Sequence, residues 1–221
     1  MLKTMIKKHI SILLLLLYGA FYLVWFYLLE QKVVNQYKII HMKIDDYIPF
    51  SEVFVIPYFL WFAYLAVVVI YLLKYDRAEY YKCCLFIFTG MTIFLIISTI
   101  FPNGHQLRPT TFPRDNIFTH LIGFLYTIDS STNIVPSIHV YNSIGAHIAF
   151  SRATGPASNR FLQTTSFLLS FSIILSTVLI KQHSMFDVIM AFAMAMVMYS
   201  IVYLPGYSLQ ENRSFGKNIE S

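Results

Sequence analysis

His183 and Asp187, four residues apart in the run KQHSMFD, are residue types that together make a nucleophile. On a helix this spacing places them on one face, a turn apart. An ionised Asp187 that accepts from one ring nitrogen leaves the other nitrogen of His183 unprotonated and aimed outward. That is the base-plus-orienter arrangement of covalent catalysis. A pair that merely caps a helix has the same spacing, so both readings stand at this point. His139, in VPSIHV, offers a second imidazole of the kind that protonates a leaving oxygen. Arg108 and Lys181 are the candidate anion binders, the first through its planar fork and the second as a point charge. Either could instead snorkel toward lipid headgroups. Ser137 has the hydroxyl to hold the same anion, or to cap a helix beginning near His139. An anion at that helix start would also meet free backbone N–H groups.

Seven histidines invite a metal reading, but no HExxH and no close two-His-one-carboxylate cluster occurs, so no metal and no cofactor is expected. The chain also lacks a glycine-rich phosphate loop and a GxSxG elbow. His147 falls two turns beyond His139 and reads as a buried hydrogen-bonding residue. His41, His105 and His120 read as loop or interface residues. Cys83 and Cys84 are neighbours that fit disulfide geometry poorly, and read as structural.

Separate segments carrying these residues need a frame that brings them to one place, and composition says what kind. Of 221 residues, 57% are hydrophobic and only 12% charged, about half the charge of a soluble domain. Mean hydropathy is +0.61. These grounds exclude a disordered chain and disfavour a water-soluble enzyme. Crossing a bilayer takes about 20 apolar residues in a helix. Charge-poor windows at 10–29, 53–73, 83–101, 161–180 and 188–204 meet this, and 134–150 is a weaker sixth. No window alternates as a barrel strand would. The expectation is an all-α polytopic membrane protein, one six-transmembrane-helix bundle over residues 1–221. The first window is too long for the h-region of a signal peptide and reads as a retained helix.

With the N-terminus inside, ten Lys and Arg fall in inner segments and six in outer ones, which predicts cytoplasmic termini. Lys32 and the tail residues Arg213 and Lys217 enter that count. The net charge of +5 is thereby explained by insertion, without nucleic acid. Arg108, Ser137, His139, Lys181, His183 and Asp187 then share the extracytoplasmic face. The polar tail from Gly206 reads as a frayed end. A short chain without further domains suggests a bacterial plasma membrane.

Arg108-Pro109, then Pro136-Ser137-x-His139, then Ser176-x6-His183-x3-Asp187 resembles the type-2 phosphatidic acid phosphatase superfamily. The resemblance spans about residues 100–190 by motif and the whole chain by architecture. It implies a metal-independent membrane phosphatase acting on a phosphatidic acid-like or polyprenyl phosphate lipid. In it His183 attacks phosphorus, Asp187 orients His183, and His139 protonates the leaving alkoxide. Arg108 and Ser137 hold the phosphoryl oxygens. Ile138 stands where the family has glycine, Phe101 where it has lysine and Thr177 where it has arginine. Lys181, one turn beyond Thr177 if that helix continues, is the expected replacement cation. The segment DDYIPF, Asp45 to Phe50, looks like the branch that includes inositol phosphorylceramide synthases. That branch implies a phosphotransferase that moves a phosphorylated headgroup to an alcohol such as inositol or a sphingolipid. Asp45 and Asp46 then either bind the acceptor hydroxyl or form a solvated loop. The apolar stretch Ile117–Ile128 is too short to span and is expected in the outer interface. A transporter, or a protein that kept the fold without catalysis, is the third class; the two missing cations argue for it and the intact His139, His183 and Asp187 against it.

Overall fold

The computed structural model describes residues 2–31 and 37–204. Lys32, Arg213, Lys217 and the tail from Gly206 lie outside the described residues. Within them the chain is mostly helical: α1 (Leu2–Gln31), α2 (Val55–Tyr75), α3 (Arg77–Ile100), α4 (Ile117–Ile128), α5 (Ile138–Arg152), α6 (Arg160–Leu179) and α7 (Met185–Val202). The one sheet among them is a parallel pair of two-residue strands, β1 (Lys38–Ile39) and β2 (Asn103–Gly104).

Five helices, rather than the expected six, are long and apolar enough to cross a membrane: Ile12–Gln31 within α1, Glu52–Tyr75, α3, α6 and α7. The sixth expected window is α5, with 15 residues. Its length is set by its ends. Ser137 caps it directly after Pro136, and Ala153 follows at the far end, before the turn at Gly155-Pro156. At 1.5 Å per residue it is about 22 Å long. α5 also carries His139, Asn142, Ser143 and His147, which lower its apolar content.

α5 is short because it is central. α2, α3, α6 and α7 all contact it, and most of its residues are buried. Small residues make this possible. A Cβ on Gly90 of α3 would lie 2.0 Å from the ring of Tyr141, and one on Gly145 of α5 would lie 2.5 Å from Phe86. The two rings that fill these gaps stack at 4.6 Å, and Tyr141 Oη donates to the Phe86 carbonyl at 2.8 Å. The outward faces of the other long helices expose large apolar side chains, among them Leu23 on α1, Ile70 on α2, Phe171 on α6 and Val197 on α7. α4 likewise exposes Ile117, Leu121, Phe124 and Ile128 along one face while it buries Ile122 and Leu125.

Both ends of the bundle are tied by polar groups. At one end Asp76 caps α3 and accepts from the backbone N and the hydroxyl of Thr154, joining the α2–α3 and α5–α6 turns. At the other, β1 pairs with β2, and the Asn103 side chain accepts from Ile134 N and Val135 N. The second end gathers the loops before α2, after α3, before α5 and before α7. Gly90→Val is expected to force Tyr141 off α3 at a loss of about 1–3 kcal/mol. A fall in the thermal midpoint of the purified protein checks this; an unchanged midpoint would mean that the α3–α5 crossing is loose.

Candidate active site

The turn between α6 and α7 creates the site. α6 stops at Leu179, and Lys181 takes a left-handed backbone with φ 55°. Gln182 N and His183 N then both donate to the Thr177 carbonyl at 2.9 Å. Ser184 caps α7: its hydroxyl accepts from Phe186 N at 3.1 Å, while Asp187 Oδ2 accepts from Ser184 N at 2.8 Å. The same Oδ2 lies 3.2 Å from His183 Nδ1. Capping and orienting are therefore one arrangement here. With Nδ1–H donating to Asp187, the lone pair of His183 sits on Nε2. Burial, and then the positive charge of Arg108, push the His183 imidazole down to about 3, so it is neutral.

His139, in the first turn of α5, faces His183 with ring centroids 5.9 Å apart. Tyr58 stacks on His139 at 4.5 Å, and Trp61 lies 4.3 Å away on a tilted plane. These aromatics fix the ring from the α2 side. His139 Nδ1 is buried and has no hydrogen-bond partner among the described residues. Both imidazoles line a cavity of about 40 Å³, together with the polar Asp129, Asn133 and Gln182 and the apolar Phe26 and Phe94. That is room for roughly three waters.

Arg108 lies behind this cavity. Its Nη2 donates to the carbonyls of Asp129 at 2.8 Å and Ser130 at 2.9 Å, and to Gln182 Oε1. Nη1 donates to the Tyr126 carbonyl at 3.3 Å, and the guanidinium lies 4.3 Å over the Tyr126 ring. Nε has no partner among the described residues. Gln182 Nε2 and Tyr58 Oη both donate to Asp129 Oδ2, at 3.1 and 3.2 Å. Burial pushes the Asp129 carboxyl up to about 6, with Arg108 pulling it back and Glu30 pushing it further.

The remaining sequence-selected residues fall elsewhere. Ser137 is fully buried, and its hydroxyl accepts from Val140 N as the α5 cap. Lys181 does not lie one turn beyond Thr177 on a continuing helix, because α6 has already ended. Its ammonium donates to the carbonyls of Asp45 at 3.0 Å and Ile48 at 2.6 Å. His147 binds Ser166, which also meets Tyr64 Oη, so it belongs to an inter-helix contact. His41 and His120 each pair with a nearby carboxylate, Asp46 and Asp115.

Three site residues escaped the sequence reading, and a fourth, Asp45, was read only as an acceptor binder or part of a solvated loop. Asp45 is buried rather than solvated: it accepts from Ser184 Oγ at 2.6 Å and Met185 N at 2.8 Å, reinforcing the start of α7. With Lys181 reaching the opposite way, the DDYIPF segment and the α6–α7 turn clamp each other. His105 is buried; its Nδ1 accepts from Leu107 N, so Nε2–H donates to the Gln182 carbonyl at 2.8 Å. Gln182 and Asp129 complete the set. Only adjacency to His183 singles out Gln182 in the sequence, the DDYIPF segment marks Asp45, and nothing local marks Asp129 or the role of His105.

Among protein-family profiles, curated proteins and solved structures, none matches this chain.

Two outcomes follow from the clamp and from His105. Asp45→Ala strands the Ser184 hydroxyl and Met185 N–H and is expected to destabilise by about 2–3 kcal/mol. Asp46→Ala, at an exposed side chain, should stay within about 0.5 kcal/mol. Chemical or thermal unfolding of both variants checks this, and equal losses would contradict the clamp. Burial pushes the His105 imidazole down to about 4. As pH falls below about 6.5 the unfolded chain takes up that proton first, so the folded state loses stability down to about 4. His183 shifts in the same direction, and Asp129, raised, offsets part of the loss. His105→Gln should flatten the fall of the thermal midpoint across this window; an unchanged slope would place the His105 ring in water.

Proposed function

We propose that this protein is an integral-membrane enzyme that cleaves a lipid phosphate ester through a phosphohistidine on His183. In this reading the five long helices and α5 form six passes of one bundle. Both termini are cytoplasmic and the His183 end faces outward. The apolar girdle supports the membrane placement. The observation that carries the chemistry is His183 held by Asp187 on one side and facing His139 across a shared cavity.

His183 Nε2 attacks phosphorus; an N–P bond forms as the P–O bond to the lipid alcohol breaks. Asp187 holds Nδ1–H and stabilises the charge that grows on the ring. The anionic substrate between the two rings favours protonation of His139, which hands that proton to the departing alkoxide. Water, deprotonated by His139 in return, then attacks phosphorus and frees His183. Arg108 anchors the loop that carries Asp129 and Ser130, and supplies positive charge to the developing transition state. Ser137 starts α5 and so aims His139; the open N–H groups of that first turn face the phosphoryl group.

A phosphotransferase is the second reading, favoured by the apolar Phe26, Phe94, Ile134 and Ile138 that line the cavity beside the two imidazoles. There a lipid or polyol alcohol replaces water in the second step.

Purified protein with EDTA, offered a panel of lipid phosphate esters, should release the lipid alcohol. His183→Ala should abolish release, and Asp187→Asn should lower kcat by roughly 10²–10⁴. Release that persists in His183→Ala overturns the reading. A new lipid product on adding inositol or another alcohol would select the transferase.

A further inference from the structure

The charges around the cavity are unbalanced for a phosphate site. Arg108 is the one cation described close to it; three oxygens take the donors of its Nη2 and the Tyr126 carbonyl takes one from Nη1. Lys181 points away, to the carbonyls of Asp45 and Ile48. Thr177 is buried and its hydroxyl donates to the Ile174 carbonyl, so it offers no charge. His183 is neutral.

Against Arg108 stand two carboxylates. Asp129 lines the cavity, where Tyr58 and Gln182 hold its Oδ2. Glu30 reaches the same wall from the end of α1, accepting from Asn133 Nδ2 at 3.0 Å. In a site lined by buried side chains every further negative charge on a ligand meets this excess with less screening than in water.

We infer that Asp129 selects the charge of the substrate: the site takes a monoanionic lipid phosphodiester and rejects a phosphomonoester dianion. The inference rests on the phosphohistidine reading and names its substrate class. A phosphodiester carries a single charge at any physiological pH, whereas a monoester approaches two above its second pKa near 6. Each added charge in the dianion faces Asp129 and Glu30 without a second cation to offset it. The diester also suits a lining that mixes apolar Phe26 and Phe94, fit for the lipid alcohol, with polar Asn133 and Gln182, fit for the headgroup. The step balances: His183 Nε2 gains the phosphorus, the P–O bond to the lipid alcohol breaks, and His139 supplies the proton to that alkoxide. The headgroup phosphoryl remains on His183 as a phosphoramidate until water or an alcohol removes it.

The test compares lipids that release the same product. Purified protein in mixed micelles at pH 8 is given phosphatidylglycerol or phosphatidylinositol as diesters, and phosphatidic acid as monoester, and diacylglycerol is measured. Wild-type protein should favour the better diester at least tenfold. Asp129→Asn, which keeps an acceptor for Tyr58 and Gln182, should lower that ratio at least tenfold by raising turnover of phosphatidic acid. Glu30→Gln should move the ratio the same way, about threefold, and gives a second reading should Asp129→Asn fold poorly. A wild-type preference for phosphatidic acid, or a ratio unmoved by folded variants while His183→Ala silences both lipids, overturns the selection by Asp129 alone. Release that survives His183→Ala, or no release from any of these lipids, overturns the phosphohistidine reading and this inference with it.

Discussion

A single oxygen, Asp187 Oδ2, takes a hydrogen bond from Ser184 N and another from His183 Nδ1. The first bond starts α7; the second sets the tautomer and direction of the imidazole. Because one fully buried carboxylate does both, the helix cannot begin elsewhere without turning His183 out of the cavity. The rest of the site follows from holding that turn still. Thr177 receives the backbone of Gln182 and His183 from below, and Asp45 braces Ser184 and Met185 from the side. His105 and Arg108 hold Gln182 by its carbonyl and its side chain.

This bracing explains why a site near one end of a thin apolar bundle depends on so many loop residues. Helices deliver His139 and His183 to the same end, but loops have no ladder of backbone bonds to fix them. Here buried polar side chains replace that ladder: Asn103 for the segment before α5, and Asp45, Lys181 and Gln182 for the one before α7. Polar groups are costly in such an interior unless paired, so the pairing also makes the arrangement specific.

Helix positions were legible in the sequence because apolar windows are long and charges mark their ends. The misplacements have local causes. α3 begins at Arg77 rather than 83, because the Asp76 cap lets a charged first turn be helical. α7 begins at Met185 rather than 188, because Asp187 interrupts the apolar window yet belongs to the capping box. The His183–Asp187 pair was legible as spacing, but not as one helical face: His183 lies outside α7, before the Ser184 cap, and meets Asp187 through the capping turn. The roles of Lys181 and Asp45 were not, because they depend on contacts spanning more than 130 residues and on a left-handed turn at a lysine. No periodicity encodes such contacts. Asp129 was hidden for the same reason: its partners Tyr58 and Gln182 lie on other segments.

The account turns on a covalent bond between His183 and phosphorus. The most direct measurement is a rapid-quench trap with a ³²P-labelled lipid phosphate ester, followed by peptide mapping. The account predicts an acid-labile, base-stable label on the peptide containing His183, absent from His183→Gln protein. Turnover of the same lipid with no label on the protein, or a label that remains in His183→Gln, would contradict it.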